Sequence, residues 1–324
     1  MPPRTRLYRH GTLQAEDFPV ADISEHLADD AAVVWLDLCA PSREDLSVIS
    51  EELGLHDLAI EDAVLEHERP KLDRYGSHLF LSAYSVKLDE ASGALSKQEV
   101  AAFVTGNALV TVRKSEDFDI GQVVANWDES PELAKYGVGF MLYGLLDYVV
   151  DSHFDAVQSL DGQIEALEDQ LFDEASKDKA LQRRTFQLRK SLVVLRRVVL
   201  PMRDVVTSLL RRDLHMVDPQ LQPYFQDVYD HVLRATEWTE SLRDLVSTIF
   251  ETHLTLRSNH VNIIMKQVTS WAAIIAVPTA ITGFYGQNLP YPGFGQSQGF
   301  WTSTIVILTL SGLLFVLFRR KDWI

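Results

Sequence analysis

From residue 267 to residue 318 the chain contains no Lys, Arg, Asp or Glu. Two apolar runs of 19 residues each, 267–285 and 300–318, lie inside that stretch. About 20 apolar residues span a bilayer as a helix, and soluble helices of this length seldom lack charge altogether. Two membrane spans are therefore expected, joined by the uncharged segment 286–299. Lys266 precedes the first run, and Arg319, Arg320 and Lys321 follow the second. The positive-inside rule places both of these ends in the cytosol and the joining segment outside. The whole N-terminal part then faces the cytosol, and both termini with it.

The rest of the chain has a different character. Of 324 residues, 46% are hydrophobic and 23% charged, enough apolar material for a sizeable core. Thirty bases stand against 46 acids, for a formal charge of −16. That balance disfavours nucleic acid as a partner and favours cations. The single cysteine, Cys39, excludes an intrachain disulfide and suits a reducing compartment. Residues 1–18 have no signal-peptide core.

Local patterns divide the cytosolic part. Segments 32–38, 78–87 and 100–113, the last with a Gly106-Asn107 turn, read as strands. Segments 42–53 and 56–65 read as helices, the first starting near Ser42 and stopping at Gly54. Residues 1–130 are thus an α/β domain. Residues 131–220 read as long helices, and 221–266 as a stalk helix that runs on into the first span, 267–285. At 1.5 Å per residue such a helix is roughly 90–100 Å long. The loop 286–299, the second span 300–318 and a basic tail, 319–324, complete the chain.

The end of the long helix carries a stripe. Asn262, Met265, Thr269, Ala272, Ala276, Thr279 and Gly283 recur at intervals of 3 and 4, a 3.5-residue period that keeps one face aligned in a left-handed bundle. Small residues there let helices approach closely in lipid. Equally, they line a pore. Two spans per chain cannot enclose a water-filled path, so a pore requires several chains. Asn262 would supply a polar ring and Met265 an apolar constriction. Gly286, by adopting positive φ, and Pro290 end the helix. That leaves the Asn288 amide at the outer mouth, where amide oxygens accept hydrogen bonds from the waters of Mg²⁺, a small ion that dehydrates reluctantly. An ordinary helix cap and turn explains Gly286, Gln287 and Asn288 as well.

Tyr285-Gly286-Gln287-Asn288, lying between two C-terminal spans, resembles the Tyr-Gly-Met-Asn signature of the CorA family of divalent-cation transporters. The likeness extends over nearly the whole chain, in order. Val34–Leu38, Gly54-Leu55-His56, Ile60-Glu61-Asp62, Arg69–Tyr75 and His78-Leu79-Phe80 are similar to its N-terminal domain. Tyr224–His231 and Asn262–Lys266 are similar to its stalk helix, and Arg319–Ile324 to its basic, aromatic end. The resemblance implies a funnel-shaped homopentamer that admits Mg²⁺, and often Co²⁺ or Ni²⁺, down the electrochemical gradient. Internal Mg²⁺ bound between subunits holds it closed. It implies that Asn288 and Gly286 form the mouth, Asn262 and Met265 an inner ring and gate, and Thr279 and Gly283 further pore positions. Asp227 is implied as a regulatory carboxylate, with Glu61 and Asp62 as its partners across the interface, and Asp151 as a second regulatory site. Two departures stand out: Gln287 replaces the signature Met, and 286–299 holds no acidic residue.

Ten acids fall between Asp147 and Asp178 with one base, Lys177. Asp147, Asp151 and Asp155 share a helix face. The run is either a solvated face or a surface that responds to cations, whose binding relieves mutual repulsion. Lys266, Arg319, Arg320 and Lys321 contact lipid headgroups or form a basic collar at the inner end of the pore. His56, His67 and His78 read as structural. No nucleophile–His–acid set or Gly-rich phosphate loop appears, so neither an enzyme nor an ATP-driven machine is expected, nor an organic cofactor. Two rival readings remain. One is proton-coupled Zn²⁺ transport of the ZntB type, kept open by Gln287. The other is a membrane-anchored metal sensor without transport.

Overall fold

The computed structural model describes residues 2–29, 31–65, 69–171, 178–211, 218–287, 290 and 293–324. Contacts divide the chain into two units, Met1–Ile249 and Phe250–Ile324.

The first unit is built on a seven-stranded sheet. Its strands are β1 (Arg4–Arg9), β2 (Thr12–Glu16), β3 (Ala32–Cys39), β4 (Lys71–Arg74), β5 (Leu79–Asp89), β6 (Ala94–Val104) and β7 (Ala108–Arg113). The spatial order is β2-β1-β3-β7-β6-β5-β4. Only the central pair β3–β7 is parallel, with Val34 opposite Ala108 and Cys39 opposite Arg113. The expected strands 32–38, 78–87 and 100–113 are all present, the last as the hairpin β6–β7. That hairpin closes at Thr105, whose hydroxyl accepts the Ala108 N–H at 2.9 Å. β1, β2 and β4 were not expected: Arg4, Arg6, Lys71 and Arg74 interrupt the apolar alternation of β1 and β4, and β2 has only Leu13 and Ala15 as apolar residues.

Both faces of the sheet are covered, which is why its central strands read as nearly unbroken apolar runs. Val34, Leu36 and Leu38 of β3 and Val110 and Val112 of β7 point to one side. They pack there with residues of α1 (Ile23–Leu27), α2 (Arg43–Leu53) and α3 (Asp57–Val64). Trp35 and Leu109 point to the other side. There they join α4 (Ile120–Glu129), α5 (Val138–Leu171), α6 (Asp178–Leu209) and α7 (Gln222–Tyr285). The sheet and these long helices therefore share cores in one compact unit. At the sheet's centre the Arg113 guanidinium binds Asp37 in a fork, Nη2 to Oδ2 at 2.6 Å and Nε to Oδ1 at 3.0 Å. Thr111 donates to the same carboxylate, so the buried charge is fully engaged.

The helix starts follow local chemistry. Ser42 accepts the Asp45 N–H and Asp45 accepts the Ser42 N–H, a reciprocal cap. Gly54 closes α2 in the left-handed conformation, φ 61°, as expected. His56 caps α3, its Nδ1 accepting the Leu58 N–H at 3.1 Å. Its ring stacks on Tyr75, which stacks in turn on His78, in keeping with structural roles for both histidines. His67 lies outside the described residues.

α7 is a single helix of 64 residues that contains Pro278, and the division between the two units falls within it. The second unit holds the remainder of α7 and α8 (Ser297–Arg320). Both helices are long and apolar enough to cross a membrane, with mean hydropathy of 1.4 and 2.1 over their most apolar windows. α8 exceeds the expected 300–318 at each end. Arg319 and Arg320 thus form its last turn rather than a free tail, where cations complement the helix dipole.

Candidate functional site

The stripe on α7 is the first site element. All seven of its residues, Asn262 to Gly283, are exposed in the single chain, Met265 at 58%. The covered positions lie elsewhere on the helix. Ser270 is fully buried, and Ala273, Ile274, Val277 and Ile281 are partly covered. Trp271, off the stripe, meets Phe315 of α8 with ring centroids 6.3 Å apart. The stripe is therefore a face that contacts within one chain leave unused.

Its polar members have defined chemistry. The Thr279 hydroxyl donates to the Ile275 carbonyl at 2.9 Å, which leaves its oxygen lone pairs facing outward as acceptors. At the end of α7 the Gly286 N–H bonds Thr282 at 2.8 Å and the Gln287 N–H bonds Phe284 at 3.3 Å. Gly286 is not among the residues with positive φ, so the expectation of a left-handed Gly286 is corrected. A side chain at this glycine would instead come within 2.9 Å of the Thr282 carbonyl oxygen. Glycine serves here for close approach of backbone to backbone. Asn288 lies outside the described residues.

Near Asn262 and Met265, a groove of about 660 Å³ is lined by Lys266, Thr269 and the C-terminal Trp323. Trp323 stacks on Phe318 and Lys321 lies over its ring. Lys266 and Lys321 thus both lie near Trp323.

The second site element belongs to α5 and α7 in the first unit. Helical spacing puts Tyr143, Asp147 and Asp151 on one face of α5, and Asp227 and His231 on one face of α7. His231 lies 3.9 Å from Asp151 and 4.0 Å from Asp227. Partial burial pushes the Asp147 carboxyl up to about 6, and the neighbouring charges of Asp151 and Asp227 add to the effect. Burial also raises Asp151, opposed by His231. Burial raises the Tyr143 hydroxyl, and Asp147, Asp227 and Asp151 reinforce it. Negative charge is thus concentrated where its mutual repulsion is poorly screened, which favours a cation.

Asp151 and Asp227, expected from sequence, share His231 as a neighbour. Glu61 and Asp62 are on α3, where Lys71 binds Asp62 at 2.5 Å and Asp73 at 2.9 Å. Among the described residues, no three His, Cys, Asp or Glu side chains of one chain converge closely enough to hold a metal ion. Tyr143 and His231 join this site without a local sequence signal that marks them. Asp147 was visible only as the start of an i, i+4 series; its half-burial depends on α7.

Comparison with known proteins gives concordant results. The family model described as "CorA-like Mg2+ transporter protein" matches residues 30–320. The chain is similar to the cobalt/magnesium transport protein CorA of Thermotoga maritima, 29% identical over 320 residues, covering 95% of this chain and 89% of that protein. It is 26% identical over 299 residues to the protein of the same description from Methanocaldococcus jannaschii, covering 91% and 93% respectively. The solved structure of the complete CorA magnesium transporter of M. jannaschii superposes with a TM-score of 0.83 at 23% identity, covering 100% and 99% of the two chains. That likeness supports the α/β domain, the long helix and the C-terminal helix.

Proposed function

The chain belongs to the CorA-like Mg²⁺ transporter family, and from that premise we propose that it is a channel for Mg²⁺, with Co²⁺ and Ni²⁺ as further cargo. Five copies surround a pore lined by Asn262, Met265, Thr269, Ala272, Ala276, Thr279 and Gly283. Gly286, Gln287 and Asn288 form its outer mouth. The observation that carries this reading is the seven-residue stripe, regular over its whole length and exposed throughout in a single chain. The pathway passes the cell membrane, the inner one where there are two. Both termini and the sheet domain are cytosolic, and the basic collar of Lys266, Arg319, Arg320 and Lys321 sits at the inner face among lipid headgroups.

The driving force is the membrane potential. One charge moving through 100 mV gains about 2.3 kcal/mol, so a divalent ion gains about 4.6 kcal/mol. Uptake then needs no ATP. Oxygen acceptors along the stripe and at the mouth bind the waters of a hydrated ion, which spares the cost of stripping Mg²⁺. Apolar Met265 closes the path by dewetting. Cytosolic Mg²⁺ closes the channel by neutralising Asp227 against Glu61 and Asp62 of the adjacent copy, with Asp151 as a second regulatory site, so its differential affinity for the closed state sets the gate.

Dye-loaded proteoliposomes test the reading. Mg²⁺ uptake without a pH gradient, abolished by Asn288→Ala, is the expected result. Gln287 favours one alternative, because an amide stands where the family signature has a thioether. Zn²⁺ uptake that follows an imposed proton gradient, with little Mg²⁺ movement, would replace the channel reading with proton-coupled Zn²⁺ transport. Intact metal-dependent signalling without any ion flux would instead identify a sensor.

A further inference from the structure

α5 and α6 pack against each other through a buried apolar cluster that includes Val157, Leu160, Ile164, Leu188 and Leu192. Their exposed faces are opposite in sign. Residues 151–170 of α5 contain no Lys or Arg and expose Asp155, Glu165, Glu168 and Asp169. Residues 179–197 of α6 contain no Asp or Glu and expose Arg183, Arg189, Lys190 and Arg197. Among the described residues these four cations form no ion pair. Arg184 turns instead to the Glu90 and Ala91 carbonyls, and Arg196 to Glu240.

Each exposed face also has a helix-pairing period. On α6, Arg183, Phe186, Lys190, Val193 and Arg197 are spaced 3, 4, 3, 4, and all are exposed. On α5, Asp155, Gln158, Gly162, Glu165 and Asp169 are spaced 3, 4, 3, 4, and all are exposed. This is the repeat by which side chains of one helix seat between those of another. Phe186 is 69% exposed, an aromatic knob on a basic helix. Gly162 is a matching hole, with no atom within 4 Å of the place a Cβ would occupy.

Height along the helices agrees. Arg184 Nη2 donates to Gln163 Oε1 at 2.9 Å, which sets the antiparallel level of the two helices. Counting outward from that contact, Arg183 stands within about a turn of Glu165, Phe186 of Gly162, and Lys190 of Gln158 and Asp155. Rotation about the axis of a cyclic assembly leaves height unchanged. With α5 and α6 running along that axis, the α6 face of one copy stands level with the α5 face of the next. The two faces complement each other rather than themselves, and head-to-tail contacts of this kind form a ring where the rotation between copies closes.

We propose that the basic seam of α6 packs on the acidic seam of α5 in the adjacent copy, with Phe186 seated over Gly162. The proposal rests on the ring assembly of the preceding section.

The test uses the full-length protein in lipid nanodiscs with Cys39→Ser as background, which leaves no other cysteine. Phe186→Cys and Gly162→Cys are placed on separate, co-expressed chains, so that a short bis-maleimide can join them only between copies. The expected product is a covalent dimer on a denaturing gel, absent when either variant is expressed alone. A ring of intact mass without that product overturns the seam and leaves the ring standing. A native chain that is monomeric overturns both. Charge reversal supplies a measurement that does not depend on Gly162→Cys folding. Arg183→Glu with Lys190→Glu should lower the ring fraction at low salt at least tenfold, and Glu165→Lys with Asp155→Lys should restore it. Equal ring fractions in all three proteins would overturn the seam.

Discussion

Replacing Asp147 with Asn should stabilise the protein at neutral pH and not in acid. The folded protein holds this carboxyl near 6 against an ordinary 3.8. That difference corresponds to roughly 3 kcal/mol, at about 1.4 kcal/mol for each pH unit. Asp147 is only partly buried, so solvent screening reduces the figure to about 1–1.5 kcal/mol. The sign follows from linkage. A carboxyl raised on folding favours the folded state when protonated, so its contribution is fully present below pH 3.8. It is lost as pH rises through about 6. Asn cannot ionise and should carry no such loss. The advantage of Asp147→Asn should therefore be near zero at pH 3.8, grow through pH 6, and level off above it. In a thermal melt of the detergent-solubilised protein of 324 residues this amounts to about 1.5–2 °C at pH 7.5. Millimolar Mg²⁺ should shrink the advantage, because a bound cation relieves the same repulsion in the parent protein. An advantage of equal size at pH 4 and pH 7.5 would refute the reasoning, since packing rather than charge would then be its source.

Two further outcomes are expected. Arg113→Leu leaves Asp37 buried without its partner and should cost about 3–5 kcal/mol, read as a large drop in melting temperature; the double variant Asp37→Leu/Arg113→Leu should recover much of the loss. Asp227→Ala should weaken closure by internal Mg²⁺ several-fold while conduction persists, measured as current against internal Mg²⁺ in patches; an unchanged Mg²⁺ dependence would remove Asp227 from the gate.

Much of this protein is written in short-range patterns. The charge-free stretch 267–318 marks two spans because hydrocarbon excludes ionised side chains, whatever the rest of the chain does. The stripe from Asn262 to Gly283 follows from helical geometry alone. Ser42, Asp45 and Gly54 delimit α2 through contacts with their own neighbours. The interrupted strands β1 and β4 were not legible, since Arg6 and Lys71 occupy them for partners on other elements, and β2 is too short and polar to show an alternation. Arg6 binds Asp128, and Lys71 binds Asp62.

What the sequence by itself determined is therefore whatever one helix or one strand settles alone: the spans, the caps, the period of the stripe and the sign of each helix face. The tertiary structure decided the rest. It covered both faces of the sheet and sealed Asp37 against Arg113. It brought His231 of α7 to Asp151 of α5, and it half-buried Asp147 so that its proton is held near pH 6. These depend on residues dozens of positions apart entering a common low-dielectric space, where desolvation and charge–charge terms act that no local pattern contains.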